Sequence, residues 1–131
     1  MSKYRLTLVP IAALLLALLT VPASAEPTTN AKILLQSSPL AGFRYYEGKR
    51  LWSEMKVGDP LQLVREHENT HDPKAVRVDW QGHKLGYVPR ADKEALARFM
   101  DRGSKAEARI TRLKKSRDPW QRMEFEVYLG L

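Results

Sequence analysis

Apolar and polar residues alternate with a period of two in two stretches near the end of the chain. Ala106, Ala108 and Ile110 alternate with Glu107, Arg109 and Thr111, and Met123, Phe125, Val127 and Leu129 alternate with Glu124, Glu126 and Tyr128. Successive side chains on a strand face opposite sides, so each stretch is expected to form a half-buried strand. Val76, Val78 and Trp80 alternate in the same way, Gln81-Gly82 supplies a turn, and Leu85 to Val88 returns, which is the clearest hairpin signal in the chain. Pro89 should end that strand. Upstream, Gly58-Asp59-Pro60 reads as a turn into a strand from Leu61 to Arg65. Ile33, Leu34 and Leu35 form an apolar run ended by Ser37-Ser38-Pro39, and Leu40 to Tyr46 resumes an extended, aromatic-rich stretch, giving two strands or one bent strand.

The period changes only once to that of a helix. Ala95, Leu96, Phe99 and Met100 recur at helical spacing, with Asp92 as N-cap, Glu94 early, Arg102 late, and Gly103 where a terminating glycine belongs. After Gly48, Leu51, Trp52 and Met55 are expected to anchor a loop into the core on a single helical turn. About six short strands and one good helix make a mainly β fold with one or two helices, of α+β type. That pattern fits a small, six-stranded, OB-like curled barrel better than a sandwich or a parallel sheet.

The first residues follow a different logic. Lys3 and Arg5 precede a run from Leu6 to Leu19 in which Thr7 is the sole polar side chain, and Ala23-Ser24-Ala25 follows. A basic start, an apolar stretch and small residues at the end are the marks of a secretory signal peptide, here 1–25, with cleavage expected before Glu26. A membrane span needs about 20 apolar residues, and this run is interrupted by Pro10 and closed by Thr20 and Pro22. An uncleaved membrane anchor is the alternative. Residues 26–30 read as a short tether and 31–131 as one domain, exported to a periplasm or secreted.

The formal charge of the whole chain is +7, and since Lys3 and Arg5 would leave with the signal, the mature form keeps +5. A small basic domain favours polyanions such as nucleic acid, phosphorylated glycans or anionic headgroups. The chain has no cysteine, which excludes disulfides, a lipid-modified cysteine and thiol catalysis.

Several local signals occur in a recognisable order: Gly42-Phe43-Arg44-Tyr45-Tyr46, Gly58-Asp59-Pro60-Leu61, Arg65-Glu66 leading to Asn69, Asp72-Pro73 with Ala75-Val76, and Leu85-Gly86-Tyr87-Val88-Pro89-Arg90. This ordered set resembles the HIRAN domain over nearly the whole mature chain. The resemblance implies an OB-related barrel that grips the free 3′ end of single-stranded DNA. By that likeness Arg44 and Tyr45 sit at the pocket for the terminal nucleotides, Asn69 and Asp72 face the terminal sugar hydroxyl, and Tyr87 with Arg90 lines the other side. His71 stands where an aromatic side chain commonly precedes the aspartate. Arginine bridges phosphate oxygens, an aromatic face stacks a base for about 1–3 kcal/mol, and a carboxylate accepts a hydrogen bond from the hydroxyl.

Each of these residues also has a plainer reading. Tyr45 and Tyr46, if on a strand, face opposite ways, with Tyr45 expected outward. Asp72 suits an Asx turn before Pro73, Tyr87 an ordinary barrel position, and Arg44 and Arg90 solvated charges. Arg109, Arg112, Lys114, Lys115, Arg117 and Arg122, with Trp120 beside them, read either as a polyanion footprint or as a solvated loop.

His67-Glu68-Asn69-Thr70-His71 matches H-E-x-x-H, a zinc-hydrolase signature that requires both histidines on one helix face. Asn69 and Thr70 are poor helix formers and Asp72-Pro73 stops a helix, so a loop is expected here. His67, His71 and Asp72 are the candidate metal ligands, zinc the candidate ion, and a third catalytic ligand would have to be His83 or an acid. The leading expectation is therefore a binding module for single-stranded nucleic-acid ends and not an enzyme. The rival is a cell-envelope protein that binds another polyanion or a protein partner, and a metal-dependent hydrolase stands last.

Overall fold

The computed structural model describes residues 31–130. The expected signal segment, 1–25, and the tether, 26–30, lie outside the described residues. The strands are β1 (Lys32–Pro39), β2 (Pro60–Arg65), β3 (Val76–Trp80), β4 (His83–Tyr87), β5 (Ala106–Leu113) and β6 (Met123–Gly130). They form one antiparallel sheet in the order β1-β6-β5-β2-β3-β4. Helix α1 (Gly48–Leu51) follows β1, helix α2 (Lys93–Asp101) follows β4, and 3-10 turns cover Phe43–Tyr45 and Pro119–Gln121.

The alternation in sequence sets the inward face. In the β5–β6 pair Ala108 lies opposite Val127 and Ile110 opposite Phe125, and all four are buried. Three ladders carry one extra residue on one strand: Leu35 in β1, Leu85 in β4 and Thr111 in β5. Such bulges bend a strand and add twist, which curls the sheet. The β3–β4 hairpin turns on Gln81 and Gly82, with φ of 46° and 79°. Two consecutive left-handed residues match the twist of the flanking strands.

The two ends of the curled sheet meet at a single bridge. Ala41, just past β1, exchanges both backbone hydrogen bonds with Tyr87 of β4, each 2.9 Å long. Gly86 permits that approach, because a Cβ there would lie 2.1 Å from the Ala41 carbonyl oxygen. The core inside the closed sheet includes Leu40, Phe43, Val78, Leu85, Leu96 and Phe125.

The extended stretch expected for Leu40–Tyr46 is corrected by the structure. Gly42 adopts φ 78°, its carbonyl accepts from the Tyr45 N–H at 3.0 Å, and Phe43–Tyr45 coil into a 3-10 turn. The turn drives Phe43 into the core, edge-on to Trp52 with ring centroids 5.6 Å apart. Asp92 occupies the N-cap position of α2 as expected, but its side chain makes no capping hydrogen bond.

Candidate nucleic-acid interface

All but His71 of the ligand-binding residues singled out in the sequence converge beside the Ala41–Tyr87 bridge, from the Phe43–Tyr45 turn, the β2–β3 loop and the end of β4 with the residues after it. Asn69, Asp72, Tyr87 and Arg90 line one cavity of about 310 Å³, together with Ala41, Ala75, Val88 and Trp120. Arg44 and Tyr45 line a second cavity of about 290 Å³ with Leu40, Gly42, Pro119 and the same Trp120. The two hollows thus meet at one indole, which is 52% exposed. Trp120 is held there by Asp118, whose carboxylate accepts from the Trp120 N–H at 3.0 Å. His71 lies exposed on the loop and lines neither cavity.

The loop from Glu66 to Ala75 is braced from within and from without. Asn69 Oδ1 accepts from the His71 and Asp72 N–H groups at 2.9 and 3.1 Å, and its Nδ2 donates to Glu66 at 3.2 Å. Asp72 Oδ1 accepts from the Lys74 N–H at 3.0 Å, the Asx turn expected before Pro73. Arg65 donates to the carbonyl oxygens of Ala75 and Pro73, at 2.8 and 3.1 Å, and to both carboxylate oxygens of Asp101, tying the loop to the end of α2. Asp72 Oδ2 pairs with the nearly buried ammonium of Lys93. That hydrogen bond, against an opposing desolvation effect, holds the Asp72 carboxyl below its usual range. Asp72 therefore stays an anion and, with about four acceptor positions on a carboxylate, keeps capacity for a further donor.

Glu66, which the sequence offers only within the Arg65-Glu66 pair, is the hub of the wall. It accepts from the Tyr87 hydroxyl at 2.8 Å and pairs with Arg77 at 3.1 Å. Burial pushes its carboxyl up, but the hydrogen bonds from Tyr87, Asn69 and Arg77 together outweigh burial and hold it below the ordinary value. The acids beside the cavity are partly compensated: Asp72 pairs with Lys93, while Glu66 shares Arg77 with Asp79. Lys84 stands over the rings of Tyr46 and Tyr87, 4.1 and 4.6 Å from their centroids. Tyr46 is half-buried against Tyr87, whereas Tyr45 is 68% exposed with its hydroxyl taking a 2.7 Å hydrogen bond from Arg44.

Residues 33–131 match the HIRAN domain. The chain belongs to the HIRAN family. Its fold is that of a Lactobacillus plantarum protein of known structure, with a TM-score of 0.66 and 28% identity over 76% of this chain and 96% of that one. The HIRAN domain of human HLTF matches with a TM-score of 0.59 and 21% identity, over 78% of this chain and 81% of that one, a likeness of fold. A rice protein, Fanconi-associated nuclease 1 homolog, is 29% identical over 79 residues, which is 57% of this chain but 8% of the rice protein.

In this HIRAN domain the H-E-x-x-H segment forms turns and bends and no helix. His67 Nε2 lies 3.1 Å from Asp101 on α2, and His71 is exposed on the loop. Among the described residues no three His, Cys, Asp or Glu side chains gather closely enough to hold a metal ion. The spacing is thus a coincidence of loop sequence, since the motif's chemistry needs one helix face.

Proposed function

We propose that the protein is a binding module for single-stranded nucleic acid that seats a free 3′ end at Trp120. The observation that carries this reading is the shared indole: one stacking surface borders a cavity with Arg44 and Tyr45 on one side and a cavity with Asp72, Tyr87 and Arg90 on the other. Trp120 and Tyr45 offer exposed aromatic faces for bases, which every base can use. Arg44 and Arg90 supply donors for phosphate oxygens. Asp72, kept anionic by Lys93, accepts from a terminal hydroxyl and repels a terminal phosphate. The family likeness supports DNA as the strand. No bond is made or broken in this role, and the nuclease name of the rice relative concerns a protein of which this chain spans 8%.

The same reading has the domain acting outside the cytoplasm, supported by the signal-like pattern of residues 1–25. A rival in which the basic surface attracts any envelope polyanion differs in one respect, indifference to the strand end. The test is fluorescence anisotropy of 5′-labelled oligonucleotides ending in a 3′ hydroxyl or a 3′ phosphate, at two salt concentrations. Tighter binding of the hydroxyl end at both salts is expected. Equal affinity for the two ends, with steep salt dependence, would contradict end recognition and favour the rival.

A further inference from the structure

A third hollow, of about 560 Å³, opens beside the end-binding cavities and is lined by Phe43, Arg44, Lys49, Trp52, Lys115, Ser116, Arg117 and Arg122. Five of these eight residues are cations and none is an acid. They come from separate parts of the chain, the Phe43–Tyr45 turn, α1 and its end, and the β5–β6 loop, so the charge is gathered by the fold and is not one run of sequence. Among the described residues outside the groove, seven basic side chains, Lys32, Arg50, Arg65, Lys74, Arg77, Lys93 and Arg112, pair with a carboxylate, while eight others are scattered without one. Among the described residues, none of the five groove cations is in an ion pair.

The groove is also ordered for contact. Arg122 is fixed by donating from Nε to the Ser116 carbonyl oxygen at 2.8 Å and by lying over the Phe43 ring, 5.4 Å from its centroid. Trp52 is half-buried, so part of its indole faces the hollow. Arg44 lines both this groove and the Tyr45–Trp120 cavity, which places the two side by side.

We propose that this groove is a phosphate track, in which Lys49, Lys115, Arg117 and Arg122 carry the backbone of a strand whose 3′ terminus lies beyond Arg44 against Trp120. Uncompensated cations spread along a groove suit a repeating phosphate chain, because each contact releases condensed counterions. The half-buried indole of Trp52 suits a base, which an inorganic phosphate or a lipid headgroup does not bring. The inference rests on the nucleic-acid reading above, but it depends on strand length and not on the chemistry of the end.

The experiment compares labelled single strands of three and ten nucleotides with free 3′ ends, and the three-mer also with a 3′ phosphate, across a salt series, with the protein and its Lys49→Gln/Lys115→Gln/Arg117→Gln variant. All three positions are exposed, so an unchanged melting temperature is expected. The protein should bind the ten-mer more tightly and with a steeper salt slope than the three-mer. In the triple variant the ten-mer slope should fall by about 2, at roughly 0.7 per lost contact to a single strand, while the preference for a hydroxyl over a phosphate end on the three-mer is kept. Lys49→Gln and Arg117→Gln alone should each lower the slope by about 0.7, which reads the track even if the triple variant is unstable. A ten-mer bound no better than a three-mer, or a slope unmoved by the substitutions, would overturn the track and leave end binding intact. Loss of end preference in the unsubstituted protein, with the slope changes present, would overturn the end pocket and leave the track. Failure to bind any oligonucleotide would overturn both.

Discussion

Ala41 and Tyr87 exchange two 2.9 Å backbone hydrogen bonds, and this one bridge both closes the barrel and sets one wall of the candidate site. The fold and the cavity are therefore linked through Gly86, which lies under the bridge. Gly86→Ala would force a Cβ to within 2.1 Å of the Ala41 oxygen, so the edges must separate. A loss of stability of about 2 kcal/mol or more is expected, on the scale of overpacking in a well-packed site, with oligonucleotide binding weakened as well. Urea denaturation checks the first and anisotropy the second.

Trp120 makes little contribution to the core, being half exposed at the join of the two cavities. Trp120→Ala should leave the melting temperature nearly unchanged and weaken single-strand binding by about 1–3 kcal/mol, the usual worth of a base stacked on an aromatic ring. Binding and melting measured on the same preparation separate the two effects.

Two substitutions at Asp72 should diverge. Asp72→Asn keeps one acceptor oxygen, enough for the Lys74 N–H or for Lys93 but not both, and removes the charge, so stability should fall less than in Asp72→Ala while the hydroxyl-over-phosphate preference shrinks by about tenfold or more, matching the 1.5–3 kcal/mol of a charged hydrogen bond. Asp72→Ala also leaves the buried Lys93 ammonium without its partner and should cost about 1–3 kcal/mol of stability. Parallel denaturation and end-competition assays distinguish them.

Acid should act through Glu66 and Asp72. Both carboxyls are held below their ordinary values in the folded protein, so each favours the folded state above about pH 4, where the unfolded chain's carboxyls are already ionised. That contribution is lost as pH falls from about 4 through the folded values. Melting temperatures taken from pH 7 down to pH 3 should be level at first and fall below about pH 4, with a shallower fall in Glu66→Gln and Asp72→Asn.

The strands were legible because each buried face is written as an alternation. The two ladders β5–β6 and β3–β4, the Gln81-Gly82 turn and helix α2 all lie where periodicity and turn chemistry put them. The segment Leu40–Tyr46 was not legible, because its apolar and aromatic residues satisfy a strand pattern while the left-handed Gly42 coils them into a turn. Tyr45 faces outward, but from that turn and not from strand alternation. Trp120 was visible only as a neighbour of basic residues, since its approach to Tyr87 and Arg90 depends on the Asp118 cap and on closure of the barrel. Glu66 was visible as part of the Arg65-Glu66 pair, but its bracing role was not, because its three partners come from positions 69, 77 and 87. The groove cations were only partly legible for the same reason: Lys115, Arg117 and Arg122 form a cluster in sequence, while Arg44 and Lys49 join them only in three dimensions.

Amide and indole chemical shifts recorded during titration with trithymidylate bearing a free 3′ hydroxyl test the end-binding site most directly. The expected result is a localised set of changes at Gly42, Arg44, Asn69, Asp72, Tyr87 and the Trp120 indole, much reduced with the 3′-phosphorylated trinucleotide. Changes confined to other surfaces, or the same changes for both ends, would contradict a 3′ terminus seated between Arg44 and Asp72.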